Sequence, residues 1–187
     1  MKSWSKGLMN IYRYLSTFSA SLDKSIKKDA VKSNYYSSGK FTSCYTMSNK
    51  ILELISRKQK IINLKVIIED ALFAIDKQYR RILALIYLDN VKSEMVATLT
   101  GYSIRTVFRK KKEGLNAFEK VLKMRGFSEE YFEKLLSSEQ WFSGNINKLV
   151  SCDEDIDSMP SELNPGYVVK QMIRDLQYVP QSNYAWF

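Results

Sequence analysis

The chain contains no histidine, and only two cysteines, three prolines and seven glycines in 187 residues. Without imidazole it lacks the commonest general base, the commonest metal ligand and every triad built on that ring. Catalysis is therefore not the expectation, and no cofactor or metal is called for. Cys44 and Cys152 lie far apart in dissimilar surroundings, which is not a disulfide framework; free thiols in a reducing, cytoplasmic setting are expected. Scarce Gly and Pro leave long stretches without a turn signal, which disfavours a sheet-rich fold and favours helices. No apolar run reaches the length that spans a bilayer, so no membrane partner is expected. Lys2, Lys6 and Arg13 interrupt the N-terminal segment, so it lacks the apolar core of a secretion signal. Each glycine is isolated, and no phosphate-cradling glycine loop exists.

What the chain does have is hydrophobic mass and unevenly placed charge. Hydrophobic residues make up 45% of it, enough for a packed core. The net charge is +9. Residues 1–75 carry a net +8, residues 76–125 a net +7 and residues 126–187 a net −6. A basic body suggests a polyanionic partner. The acidic last third either meets a basic partner or lies on the body and moderates its field.

Periodicity places helices along most of the chain. Leu8, Ile11, Tyr12, Leu15 and Phe18 recur at spacings of three and four, which predicts a helix over 4–32. Ser, Asn and Gly in 33–47 predict a loop. Over 48–75, with Ser48 as its cap, Leu54, Ile61, Ile68 and Ile75 repeat every seven residues, and Ile51, Ile55, Ile62, Leu64 and Leu72 widen the stripe. Such a helix packs within its own domain or forms a dimer seam, and lysines along one edge favour the first. Asp76 starts a shorter helix over 77–88 that carries Tyr79, Ile82, Leu83 and Ile86. After an Asp89-Asn90 turn, helices are expected over 92–99 and 103–124, with Gly126 as a stop. Ser128 caps a helix over 129–137. Residues 151–165 are acidic and hold two prolines, which predicts a linker; 166–177 predict one short amphipathic helix.

The informative segment is Ser93–Phe118, SEMVATLTGYSIRTVFRKKKEGLNAF. A helix-turn-helix needs a small residue in its first helix, a residue tolerant of positive φ four positions later, and an apolar anchor about six positions beyond that. Ala97, Gly101 and Val107 meet that spacing. Val96, Leu99 and Tyr102 are expected to surround them, and Ser103 to cap the second helix. At about 100° per residue, Leu115, Phe118 and Leu122 share an arc with Val107. Arg105, Arg109, Lys112 and Asn116 fall opposite, Thr106 flanks them, and Lys110 and Lys111 lie near the edges. An apolar face backed by a basic and polar one is what a helix entering the major groove of double-stranded DNA requires.

Tyr79–Leu122 resembles region 4 of sigma-70-type RNA polymerase sigma factors and the sigma-like regulators of bacteria, phages and mobile elements. The resemblance rests on the helix Arg80–Tyr87, Val96-Ala97, Leu99, Gly101-Tyr102-Ser103, the run Arg105-Thr106-Val107-Phe108-Arg109, and Leu115 with Phe118. Thr100 departs from it, standing where an apolar residue is usual. Residues 1–75 show nothing like the sigma segment that melts promoter DNA. The resemblance implies a regulator with region 4 joined to its own helical N-terminal module. It also implies base reading by Ile104, Arg105 and Arg109, and phosphate contacts by Thr106 and Lys112.

The expectation is an all-α protein. Residues 1–75 form an interaction or dimerisation module, 76–125 a DNA-binding helix-turn-helix, and 126–187 a helical and then acidic segment. The DNA-binding residues are Ser103, Ile104, Arg105, Thr106, Arg109, Lys110, Lys112 and Asn116. RNA polymerase and a second copy of the chain are the protein partners this reading admits. A helical module that binds polymerase or another protein without reading DNA is the alternative. Asp153, Glu154, Asp155 and Asp157 lack the spacing of a calcium loop and read as a solvated acidic segment.

Overall fold

A computed structural model of the protein describes residues 4–35 and 44–136. All of its elements are helical: α1 (Trp4–Tyr35), α2 (Cys44–Ala74), α3 (Lys77–Leu83), a π-helical turn (Ala84–Leu88), α4 (Ser93–Thr100), α5 (Ile104–Met124) and α6 (Glu129–Leu136). The linker and helix expected over 151–177 lie outside the described residues, as do the acidic run, Cys152 and the last two tryptophans. Among the described residues, no helix is long and apolar enough to cross a membrane.

Two boundaries differ from expectation. α1 continues to Tyr35, and α2 begins at Cys44 rather than at Ser48, which sits inside it. Neither Ser33–Tyr35 nor Cys44–Met47 contains Gly or Pro. Once a helix is nucleated, each further residue adds a hydrogen bond, so polar residues alone do not stop it. The expected single helix over 77–88 changes pitch at Ala84. There Asp89 N–H donates to the Ala84 carbonyl at 3.1 Å, five residues back. The left-handed residue of the following turn is Asn90 (φ 55°), and Arg13 Nη1 donates to its Oδ1 at 3.1 Å.

The contacts divide the chain into two units. One holds residues 17–35 and 44–59 of α1 and α2. Within it Lys58 pairs with Asp23 at 2.6 Å and Lys50 with Asp29 at 2.9 Å. Rising numbers on α1 meet falling numbers on α2, so the two segments run antiparallel. Phe18, Leu22 and Leu54 are buried.

The other unit holds residues 4–16, 60–74 and all of α3 to α6. The antiparallel pattern recurs, with the Tyr12 hydroxyl donating to Glu69 Oε1 at 2.5 Å and Lys65 Nζ to Ser16 Oγ at 3.1 Å. The Tyr12 phenol has its pKa pushed well above the ordinary value, by burial first and then by this carboxylate. Ile61, Leu64, Ile68 and Leu72 of α2 are buried, as is Ile75 just past its end, whereas Ile55 of the expected stripe is 46% exposed. The start of α1 reaches the later helices: Trp4 lies 5.4 Å from Phe132 between ring centroids, and Ser5 Oγ donates to Glu119 Oε2 at 3.3 Å.

α3 and α5 cross closely because Gly114 is glycine. A Cβ there would lie 3.2 Å from the Tyr79 Cβ and 3.4 Å from Leu83 side-chain carbons. Gly in mid-helix costs roughly 0.5–1 kcal/mol relative to Ala, and here it lets the backbones approach.

Candidate nucleic-acid interface

The site is built from α4, a three-residue turn and α5. α4 ends at Gly101, whose φ of 72° is left-handed, with nothing within 4 Å of where a Cβ would sit. The conformation, not space, therefore selects glycine. Ser103 then caps α5: its Oγ accepts from the Thr106 N–H at 3.2 Å and lies 2.9 Å from Thr106 Oγ1. Both hydroxyls are thus engaged at the helix start.

Burial orients α5. Val107, Gly114, Leu115, Phe118 and Leu122 are buried, and so are Val96 and Ala97 on α4. Leu99 is not the expected apolar support, since it is 52% exposed. α4 has only two turns, and Leu99, three residues after Val96, lies at the edge of the buried face, on the flank away from Ala97. Thr100 fits its half-buried place because its hydroxyl donates to the Val96 carbonyl at 2.6 Å.

Of the eight singled-out residues, Arg105, Arg109, Lys112 and Asn116 share one exposed side of α5. From Arg105 to Asn116 that side is about 16 Å long. Ile104 is exposed on the first turn, and Ser103 and Thr106 frame the cap. Lys110 stands apart. It is half-buried, its Nζ donates to Gln78 Oε1 at 2.8 Å, and it lies 5.0 Å and 5.6 Å from the Tyr102 and Tyr79 ring centroids. A cation between two aromatic faces is held electrostatically and gives up little to solvent. Lys110 ties the turn to α3. Lys111 lies 5.4 Å from the Tyr87 ring centroid.

Two features were not read from sequence. Glu113 pairs with Arg109 at 3.9 Å and accepts from the Tyr79 hydroxyl at 3.3 Å. The Tyr79 pKa is accordingly raised, by the Glu113 carboxylate first and by burial next. The i,i+4 spacing of Arg109 and Glu113 was the available signal. Phe108 is 52% exposed beside Ile104 at 47%; the apolar arc is wider at the start of α5 than α4 covers. Among the described residues, neither Arg105 nor Lys112 has an ion pair, and no cluster of His, Cys, Asp or Glu suited to a metal occurs.

No protein-family model, curated protein or solved structure matches the chain.

Proposed function

We propose that this chain is a cytoplasmic, sequence-specific DNA-binding transcription regulator that reads duplex DNA with a helix-turn-helix like that of sigma region 4. The observation that carries this reading is the exposed set Arg105, Lys112 and Asn116, without a side-chain partner among the described residues, with Arg109, opposite the buried Val107–Leu122 face of α5. α5 enters the major groove by its first turns. Arg105 and Arg109 bond base edges in bidentate fashion, while Ser103, Thr106 and Lys112 hold the backbone. The left-handed turn at Gly101 and the Lys110 clamp keep α5 at a fixed angle to α4 and α3, so that this face is presented as a unit. The positive field of residues 1–125 draws the polyanion in. Regulation follows from occupancy and contact with RNA polymerase, with no chemical step.

The test is binding of the intact protein to duplex DNA across salt concentrations, beside an Arg105→Ala/Arg109→Ala variant. Steep salt dependence, with sequence preference lost in the variant, supports the reading. The second reading is a protein-binding module without DNA recognition, favoured by Met95 and Leu99, which are exposed on α4. Folded protein that ignores duplex DNA at low salt selects it.

A further inference from the structure

Ile104 and Phe108 sit one turn apart on α5, both about half exposed, each followed directly by an arginine. The same side continues into Lys112. A purely solvated basic face has no use for an exposed aromatic ring there, and an apolar protein groove would have to desolvate Arg105 and Arg109 to reach it. A surface that offers anionic groups and isolated apolar groups side by side suits both. The major groove is such a surface: phosphates line it, and its one apolar base-edge group is the 5-methyl of thymine.

We infer that Ile104 and Phe108 read thymine 5-methyl groups in duplex DNA, next to the base pairs that Arg105 and Arg109 contact. This rests on the DNA-binding reading above and adds a specificity that the arginines cannot provide. The two side chains are separated by about 6 Å along the helix axis. With base pairs about 3.4 Å apart, they reach thymines one or two steps from each other. Each methyl covers part of an apolar side chain that water otherwise wets. Arg105 and Arg109 then require guanines in the same short stretch.

The experiment uses the full chain and duplexes selected from a random-sequence pool. Each thymine in the selected duplex is replaced in turn by uracil, which removes the methyl and leaves base pairing intact. Uracil at one or two positions is expected to weaken binding about threefold to tenfold at each. Phe108→Ala should bind the thymine duplex more weakly and lose the thymine–uracil difference at one of those positions, while an Ile104→Ala variant loses it at the other. Phe108 is 52% exposed, so its truncation should lower the thermal unfolding midpoint by only a few degrees and leave the protein folded. Selective, salt-dependent binding that is indifferent to uracil everywhere overturns the inference and leaves the DNA-binding reading standing. Absence of binding to every duplex overturns both.

Discussion

The pairing segments of α1 and α2 and the outer face of α5 are both basic, yet their charges are held differently. Lys50 and Lys58 pair with Asp29 and Asp23 across the two helices, and Arg57 pairs with Glu53 one turn away. On α5, Arg105 and Lys112 have no ion pair among the described residues, and Arg109 has only a long one to Glu113. Counting lysines and arginines makes the regions look alike. A cation answered by a nearby carboxylate presents little field to a ligand, whereas one left open keeps its charge available. Net charge by segment therefore overstates how evenly the body of the chain invites a polyanion.

The largest expected effect breaks the comparison directly. Arg105→Ala/Arg109→Ala should weaken specific DNA binding by about 1–3 kcal/mol per arginine. Lys50→Ala/Lys58→Ala should leave affinity unchanged and lower stability by at most about 1 kcal/mol for each of the two pairs. Titrations of both variants on one duplex at one salt concentration measure this. Equal losses in the two would mean that affinity follows total charge and that the face of α5 is not special.

Stability of the seam beneath that face comes next. Gly114→Leu forces a branched side chain against the Tyr79 Cβ and Leu83, and should destabilise the protein by about 1–3 kcal/mol. Gly114→Ala should be close to neutral, because its gain in helix propensity offsets a contact of 3.2 Å. Urea unfolding of the two variants checks the order, and equal stability would place the close approach of α3 and α5 elsewhere.

Much of this was legible in the sequence, for stated physical reasons. Leu54, Ile61 and Ile68 of the heptad are buried because a long helix keeps its phase once one face packs, and Ile75 is buried just past the end of α2. Gly101, Ser103 and Val107 occupy the turn, cap and anchor because each answers a local backbone or packing need. Less legible were features set by neighbours distant in sequence. The wheel alone puts Lys110 near an edge, and only α3 shows that Gln78 and Tyr79 claim it. The role of Gly114 was invisible for the same reason. Leu99 and Phe108 look like core by residue type, yet each is 52% exposed, Leu99 at the edge of a two-turn helix and Phe108 on the first turns of α5. Ser5 and Trp4 reach α5 and α6 across more than a hundred residues, which no local pattern announces.

A smaller effect concerns pH, and it belongs to the packed helices rather than to the α5 face. The folded Tyr12 pKa is raised above its ordinary value of 10.0, so the folded state holds this proton more tightly than the unfolded chain does. Its contribution is fully present below about pH 10 and is lost as pH rises through the folded value. Stability should thus be insensitive to Tyr12 between pH 7 and 9 and fall above about 10. Tyr12→Phe should cost about 1 kcal/mol at neutral pH and flatten the alkaline decline. Thermal unfolding at pH 8 and in alkali compares them, and an unchanged decline in the variant would assign it to other tyrosines.

The smallest effect sharpens the comparison most, because it sets two i,i+4 pairs side by side. Glu113 stands on the α5 face and Glu53 on α2, each carboxylate one turn from its arginine. At Glu113 the negative charge competes with an incoming phosphate for Arg109 and repels it. Glu113→Gln should raise DNA affinity roughly twofold to fivefold, in keeping with about 0.4–1 kcal/mol for an exposed charge interaction. The gain should fade as salt is added, since the interaction is screened. Glu53→Gln removes the same charge from the chain, so any effect of net charge alone is common to both. If only Glu113→Gln tightens binding, the position of the carboxylate decides, and Arg109 leaves its partner when DNA arrives. Equal gains from the two variants would show instead that DNA responds to the overall charge of the chain.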